Sequence, residues 1–232
     1  MDQRQIYARG ADRYHRLVAA EDADGRLGPA LARALGGASN PGGPVVEIGA
    51  GTGRVTDLLV GLGLTVIATE PSPAMVTNAI DRGAGGPGRP WCLAEAAALP
   101  VRDASCVAAV AGWVFGHQIH WQPNRWRAEV AHSLDECDRV TGDGTVVVIE
   151  TLGTGHAEPT PPPELVAYYD WLVHDAGFQR AWIRTDYAFP TVDEAAAAAG
   201  DFFGSAFAET VRANGWSRIP ECTGIWTRGP SL

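Results

Sequence analysis

The stretch VVEIGAGTGRVT, residues 45–56, constrains the fold more than any other part of this sequence. A short β-branched run leads into three glycines at alternate positions, and residues 54–63 then carry apolar side chains at helical spacing. A strand, a glycine-rich turn and a helix together begin a βαβ unit, in which parallel strands are joined by helices. The sequence therefore predicts an open α/β sheet. Its first loop, 49–53, should lie at the carboxyl ends of the strands, where such sheets bind ligands.

The same alternation continues through the first two thirds of the chain. Strands are predicted at 44–50, 64–70, 89–95, 105–113 and 144–151, and helices at 54–63, 71–83 and 124–140. Ser72 is expected to cap the second helix, with Pro73 in its first turn and Gly83 just past its end. Five parallel strands are thus expected by residue 151.

The remainder predicts further elements of the same domain. A helix at 164–177, a strand at 178–189, a helical insertion at 191–214 and an edge strand at 216–228, broken by Pro220, are expected. Thr191 and Glu194 have the spacing of a capping box. We therefore expect a single domain over residues 1–232, with N-terminal cap helices at 1–40, a core at 41–151 and a second half at 152–232.

Composition excludes several classes of function. The chain has 27 acidic and 18 basic residues and a net charge of -9, and it contains no basic stripe of the kind that nucleic acids require. It has no long apolar segment and no signal-peptide pattern, so we expect a cytoplasmic protein without a membrane partner. Lysine is absent, which excludes Schiff-base and P-loop lysine chemistry, and the 4 cysteines lack metal-binding spacing.

The glycine loop separates two kinds of nucleotide ligand. Gly49, Gly51 and Gly53 are followed by Arg54, where the dinucleotide fingerprint requires its third glycine. This departure disfavours a nicotinamide cofactor. Glu47, two residues before the loop, instead suits a ligand with a cationic amino-acid end and no phosphate.

Three motifs resemble class I S-adenosylmethionine (SAM)-dependent methyltransferases, in the type 11 branch that includes small-molecule and quinone-biosynthesis enzymes. They are VVEIGAGTG, VIATEPSPAM and LAEAAALPVRDAS, and the resemblance extends from about residue 7 to residue 228. It implies a Rossmann-like α/β fold with a seven-stranded, mainly parallel sheet, helices on both faces and an antiparallel last strand. The region 41–151 would then be the SAM-binding core and 152–232 the substrate side.

The resemblance also implies SAM as the cofactor and assigns residues to it. Glu70 matches the acid that holds the ribose hydroxyls, while Glu95 matches the acid that meets the adenine amino group. Glu47 and Glu70 are expected to bind the nucleoside jointly across the glycine loop. The full expected set is Tyr14, Glu47, Gly49, Ala50, Gly51, Gly53, Glu70, Pro71, Ser72, Met75, Glu95, Ala96, Gly112 and Trp113.

The expected substrate residues are Tyr7, His117, His120 and Tyr168. His117 is the candidate general base, because an imidazole can accept a proton near neutrality. A structural role for His117, core packing for Tyr168 and a surface position for His120 remain the alternatives. Tyr7 and Tyr14, seven residues apart on a predicted N-terminal helix, are expected to cover the cofactor.

These residues predict an enzyme that methylates O, N or C of a small apolar or aromatic metabolite. One alternative is a protein of this fold that binds SAM without transferring methyl, in a binding or rearrangement role. A second alternative is an NAD-linked oxidoreductase. The sequence does not predict an oligomeric state.

Overall fold

The computed structural model describes residues 11–36, 42–87 and 90–229, with side chains from residue 14 onward. The predicted alternation of strands and helices is present. In chain order the strands are β1 (Val45–Ile48), β2 (Val66–Glu70), β3 (Trp91–Leu93), β4 (Ala108–Gly112), β5 (Thr145–Thr154), β6 (Gln179–Arg184), β7 (Tyr187–Ala188), β8 (Arg218–Ile219) and β9 (Glu221–Arg228).

Helices alternate with the first five of these strands and dominate the C-terminal third. They are α1 (Ala11–Ala20), α2 (Leu27–Ala34), α3 (Arg54–Gly61), α4 (Pro73–Asp81), α5 (Gly116–Trp121), α6 (Trp126–Thr141), α7 (Val166–His174), α8 (Val192–Phe203) and α9 (Ser205–Ala213). A 3-10 turn at Pro163–Leu165 precedes α7. Within the described residues, no helix is long and apolar enough to cross a membrane.

Seven strands form one sheet in the order β3-β2-β1-β4-β5-β9-β6. The first five strands are parallel, and β9 runs antiparallel to both β5 and β6. The predicted fold class is thereby confirmed. The predicted edge position of the last strand is wrong, because β9 lies inside the sheet and β6 forms the edge. Pro220 precedes β9 and therefore removes no hydrogen bond from its ladder.

Strand alternation divides the core between the two faces of the sheet. Val46 and Ile48 of β1 belong to the cluster that includes Val130 of α6 and Leu172 of α7. Val45, with the opposite parity, packs in the cluster formed with α2 and α3. Helices therefore cover both faces, which leaves the carboxyl ends of the parallel strands as the open edge of the sheet.

The segment predicted as one strand at 178–189 forms two. β6 belongs to the main sheet, whereas β7 pairs with β8 in a separate two-stranded sheet. Between them, the carbonyls of Thr185 and Asp186 accept hydrogen bonds from the amides of Asp22 and Ala23. These bonds tie the segment after α1 to the break, so the strand cannot continue in a single ladder.

The helical insertion also divides into two elements. α8 ends at Phe203, and Gly204, with φ 93° and ψ 167°, turns the chain into α9. The predicted caps are present: the amide of Met75 donates to the Ser72 hydroxyl, and the amide of Glu194 donates to the Thr191 hydroxyl at 3.2 Å. Gly83, with a φ of 72°, lies just past the end of α4 as predicted, whereas the turn at Gly204 was not predicted.

Candidate functional site

The glycine loop between β1 and α3 is built on left-handed backbone. Gly49, Gly51 and Gly53 have φ values of 65°, 58° and 93°. A Cβ on Gly49 would lie 2.5 Å from a methyl of Val114, and one on Gly53 would lie 2.4 Å from the Cβ of Ala84. Two of the three glycines are thus required by packing within the protein itself.

Gly51 is the loop glycine that has room beside it. A Cβ there would lie 3.8 Å from the ring of Tyr14, with nothing nearer. The next residue of α1, His15, has its Nδ1 atom 3.2 Å from the hydroxyl oxygen of Thr52. Helix α1 therefore lies over the loop, in the covering position that the sequence predicted for an N-terminal helix.

Glu70, at the end of β2, is attached to the loop by hydrogen bonds. The amides of Gly51 and Ser72 donate to its two carboxylate oxygens, each at 2.9 Å. Burial raises the pKa of Glu70, these two bonds lower it, and the nearby charge of Glu95 raises it. Since a carboxylate oxygen has two lone pairs, Glu70 keeps the capacity to accept bonds from ligand hydroxyls.

Glu47 has different surroundings from Glu70. Its side chain is 2% exposed and accepts a hydrogen bond from the Thr56 hydroxyl of α3 at 2.5 Å. Burial raises the pKa of Glu47 to about 8. The geometry therefore does not favour the predicted joint binding of the cofactor by Glu47 and Glu70. The side chain of Glu47 is buried against helix α3 and is hydrogen-bonded within the protein.

The other expected cofactor residues lie around the same strand ends. Met75 is buried in the first turn of α4, Pro71 is exposed just before it, and Ala96 is half-buried beyond β3. Ala50 is buried within the loop, and a Cβ on Gly112 would lie 3.2 Å from a methyl of Val55. Their contacts with a cofactor stay predictions.

A cavity of about 540 Å³ opens beside the loop, in the size range of small-molecule sites. Side chains from α1, the start of α3, the region after β4, the ends of β5 and β9, and helices α8 and α9 line it. Tyr14 contributes to this lining and also lies against Gly51. Arg54, directly after the loop, lines the cavity as well, so the cavity adjoins the glycine loop with Tyr14 between them.

One cation stands in the wall of this cavity. The guanidinium of Arg54 is hydrogen-bonded to Glu21 and lies 3.9 Å from the centre of the Trp113 ring. Trp113 has a φ of 56°, which bulky residues rarely adopt, and it lines the cavity directly after β4. Arg54 occupies the position of the third glycine of the dinucleotide fingerprint. Its side chain is held in the cavity wall by Glu21 and Trp113.

Two further carboxyl groups line the polar end of the cavity. Glu150, 3% exposed, accepts hydrogen bonds from the Gly116 amide at 2.8 Å and from the Tyr168 hydroxyl at 3.3 Å. Glu221, 1% exposed, accepts a bond from the Thr151 hydroxyl at 2.6 Å. Burial raises the pKa of Glu150 to about 7 and that of Glu221 to about 8. Both carboxyl groups therefore change charge near neutral pH.

The two candidate histidines both line the cavity. The His117 ring stacks on Trp121 with 5.1 Å between centroids, while His120 is exposed. Burial, and next the charge of His120, lower the pKa of His117 to about 4. The imidazole of His117 is consequently neutral at pH 7 but a weak proton acceptor, which disfavours its predicted role as general base.

Tyr168 does not lie where the substrate prediction requires it. It is fully buried, contacts Trp126 edge to face, and donates its hydroxyl to Glu150. The Tyr168 side chain therefore belongs to the core. It does not line the cavity itself but is hydrogen-bonded to Glu150, which does. Tyr7, the other predicted aromatic contact, lies outside the described residues.

Sequence reasoning missed five charged residues of the cavity, namely Glu21, Arg54, Glu150, Glu164 and Glu221. Glu150 carried a usable signal, because it directly follows the apolar part of β5 that pairs with β4, near the carboxyl ends of the parallel strands. Arg54 was noted only as a departure from a glycine motif. Glu21 and Glu221 lack any local pattern, since tertiary packing brings them to the site.

Comparison with known proteins agrees with this geometry. Residues 46–149 match the family described as methyltransferase domain. No curated protein has a significantly similar sequence. The matched region extends from β1 to β5 and so contains the glycine loop, Glu70 and Glu95.

Several solved structures share the fold. A protein of Anaeromyxobacter dehalogenans assigned as a type II methyltransferase is 16% identical, with a TM-score of 0.57 over 86% of this chain and 95% of its own. Magnesium protoporphyrin IX methyltransferase from Synechocystis PCC 6803, solved with bound SAM, is 16% identical, with a TM-score of 0.53 over 95% and 92%. The [4+2]-cyclase SpnF is 17% identical, with a TM-score of 0.54 over 89% and 81%.

Proposed function

Since the chain carries a methyltransferase domain at residues 46–149 within the class I, SAM-dependent methyltransferase fold, we propose that it methylates a small molecule held in the cavity. The acceptor atom is O, N or C of an apolar or aromatic metabolite. The observation that carries this proposal is the cavity of about 540 Å³ that adjoins the glycine loop.

The residues at the loop fit SAM. Gly51 leaves space on one side, and Glu70 can accept further hydrogen bonds while the loop amides hold its orientation. We assign the ribose hydroxyls to Glu70 and the adenine to the neighbouring Ser72, Met75, Glu95 and Ala96. Tyr14 and Trp113 would separate the cofactor from solvent.

SAM, when bound, supplies a methyl group on a positively charged sulfur, which keeps the electron pair of the broken C–S bond as the methyl joins the acceptor. A hydroxyl or ammonium acceptor must also lose a proton. We assign this proton to Glu150, because a pKa of about 7 suits proton transfer near neutrality better than the pKa of about 4 of His117. Bonds from the Gly116 amide and the Tyr168 hydroxyl orient the Glu150 carboxyl group.

A SAM-binding protein without methyl transfer remains the second candidate, because a cyclase shares this fold. An NAD-linked oxidoreductase is the third, and Arg54 in the loop disfavours it. The two SAM-binding candidates differ in one product: methyl transfer releases S-adenosylhomocysteine (SAH), whereas rearrangement leaves SAM intact.

Ligand-induced stabilisation tests the proposal directly. At a hundred times its dissociation constant, SAM or SAH should stabilise the fold by about 2.7 kcal/mol and raise Tm by several degrees, whereas NAD should not. Glu70→Ala should reduce the SAM shift by more than half. Glu209→Ala, on the exposed surface of α9, is the matched control and should keep it. No shift with SAM or SAH, or a full shift in Glu70→Ala, would contradict the assignment.

The Glu150 assignment requires a second readout. SAH release during incubation with a library of small apolar metabolites identifies an acceptor, and Glu150→Gln should then lower turnover at least tenfold. Its SAM affinity should stay within about twofold of the wild type. Unchanged turnover in Glu150→Gln would exclude the proton-accepting role, and the absence of SAH release with every compound of the library would favour the non-transferring alternative.

A further inference from the structure

Glu221 carries a carboxylate oxygen with unused hydrogen-bonding capacity in the wall of the cavity. Its Oε1 accepts a bond from Thr151, and its backbone amide donates to Asp186 at 3.1 Å. Its Oε2 is buried and has no hydrogen bond of good geometry among the described residues, although the nearby Thr154 hydroxyl partly opposes the rise in pKa that burial causes in the carboxyl group. Ionised Glu221 with this oxygen poorly paired is costly, so the group holds its proton while the cavity is empty, and a ligand that donates a hydrogen bond to Oε2 would favour the carboxylate.

The charges around the cavity favour a positively charged ligand group. Four glutamates line it, namely Glu21, Glu150, Glu164 and Glu221, and Arg54 is the one arginine among the described lining residues. Arg54 is already engaged by Glu21. A cationic ligand group would therefore favour the ionised form of the buried Glu150 and Glu221 carboxyl groups, whereas a carboxylate ligand would oppose it.

Part of the cavity wall is apolar. Phe202, Phe203 and Phe207 from α8 and α9 line it, with ring centroids 4.9 and 5.2 Å apart along the series. Leu17 of α1 packs in the same cluster and also lines the cavity. Such a surface contributes affinity for an aromatic or aliphatic body and none for a fully polar one.

We propose that the cavity selects an amphipathic amine, whose ammonium group donates to Oε2 of Glu221 while its apolar body lies against Phe202, Phe203 and Phe207. This inference rests on the proposed function, since it names the class of the acceptor. Glu221 acts as a binding residue and anchors the cationic end. Burial, which holds the pKa of Glu221 near 8, adds a consequence: binding of the ammonium at pH 7 displaces the proton of Glu221 to the buffer.

Three probes of nearly equal shape test this selection. They are 2-phenylethylamine, 2-phenylethanol and 3-phenylpropanoate, which differ chiefly in the charge of the polar end. Calorimetric titration of the wild-type protein, with and without saturating SAH, should give at least tenfold tighter binding of the amine than of the alcohol. The carboxylate should bind most weakly. Titration in buffers of different ionisation enthalpy should show proton release with the amine alone.

The variant Glu221→Gln keeps an oxygen for the Thr151 hydroxyl and replaces Oε2 by an amide nitrogen. It should lose at least tenfold in amine affinity and lose the proton release, while its affinity for the alcohol stays within about twofold. Glu209→Gln, at the exposed surface of α9, should behave as the wild type. Equal affinity for the three probes, or an unchanged amine affinity in Glu221→Gln, would overturn the inference.

The outcomes separate this inference from the proposed function. The wild-type probe series does not depend on whether Glu221→Gln folds. SAH binding without preference for the amine would reject the amine selection and leave the methyltransferase proposal intact. Amine selectivity in a protein that binds neither SAM nor SAH would keep the amine selection and reject the methyltransferase proposal.

Discussion

Glu47, Glu70 and Glu150 all lie near the carboxyl ends of the parallel strands, yet their side chains meet different partners. Glu47 shares the parity of Val45 and faces α3, where it accepts from Thr56. Glu150 shares the parity of Val148 and faces α5 and α7. Glu70 is turned towards the amides of the glycine loop. The same residue type in the same kind of position therefore contacts a helix in one case, the glycine loop in another and the cavity in the third.

His117 provides a direct test of the electrostatics on the cavity side. Burial and the nearby His120 hold its pKa at about 4, so its imidazole should stay neutral from pH 9 down to about pH 5. An NMR titration of the histidine side chains should place the His117 midpoint well below 6. In His120→Gln the midpoint should rise, because the neighbouring charge is removed. A His117 midpoint between 6 and 7 would restore this residue as the candidate base.

The residues of the site were predictable where a local pattern marks them. The loop glycines, Glu70 and Ser72 follow from the motif, and strand alternation alone would have placed Glu47 on the α3 side. Tyr168 was misplaced because a helical stripe does not tell core from cavity. Glu221 lies 200 residues from Glu21 in sequence. No local sequence pattern could predict that β9 and the end of α1 line the same cavity.

At the scale of elements, helices α8 and α9 form the apolar wall of the cavity as a closely packed pair. A Cβ on Gly200 of α8 would lie 3.0 Å from the Cβ of Ala208 in α9, so the two helices approach closely there. Gly204 makes the turn between them with a φ of 93° and a ψ of 167°, a region that is almost confined to glycine. The positions of Phe203 and Phe207 therefore depend on one backbone conformation.

Replacement of this glycine should be costly although the space around it is open. Gly204→Ala meets no atom within 4 Å, so its effect is backbone strain of about 1–3 kcal/mol, measured as a lower free energy of unfolding in urea. Gly61→Ala is the matched control, because Gly61 lies in helix α3 and also has open space. There alanine should have no cost or stabilise by up to about 1 kcal/mol. Equal effects of the two changes would contradict the conformational argument.

The elements themselves were predictable where burial leaves a recognisable pattern of apolar residues in the sequence. β1, β2, β4 and β5 are buried on both faces, and their apolar runs were recognised within a few residues. The segment 178–189 was misjudged because the amides of Asp22 and Ala23, far away in sequence, donate to the carbonyls of the two residues between β6 and β7. The alanine-rich run before Gly204 gave helix propensity but no signal for the turn.

For the whole molecule, the notable property is a set of carboxyl groups that folding makes less acidic. Burial raises the pKa values of Glu47, Glu150 and Glu221 to about 8, 7 and 8, and it also raises that of Glu70. Above its pKa each group must carry a charge in a poorly solvated place. These carboxyl groups therefore lower the stability of the folded protein at neutral to basic pH.

This property fixes the sign of the pH dependence of stability. Between pH 6.5 and 8.5 these glutamates are ionised in the unfolded chain, with an unperturbed pKa of 4.5, but still lose protons in the folded protein. The folded state binds more protons, so the free energy of unfolding should fall as pH rises. A single group with a folded pKa near 8 contributes about 1–2 kcal/mol to this fall. Urea titrations of the ligand-free protein at the two pH values measure it.

Glu47→Gln isolates the contribution of one group, because glutamine resembles the protonated acid and can still accept from Thr56. Its loss of stability between pH 6.5 and 8.5 should be smaller than that of the wild type by about 1–2 kcal/mol. His117 is neutral throughout this range, since its folded pKa of about 4 lies below it, and other groups titrate alike in both proteins. Parallel pH profiles for wild type and Glu47→Gln would mean that Glu47 is solvated and free to reach a ligand. That result would reinstate the joint binding of the cofactor by Glu47 and Glu70.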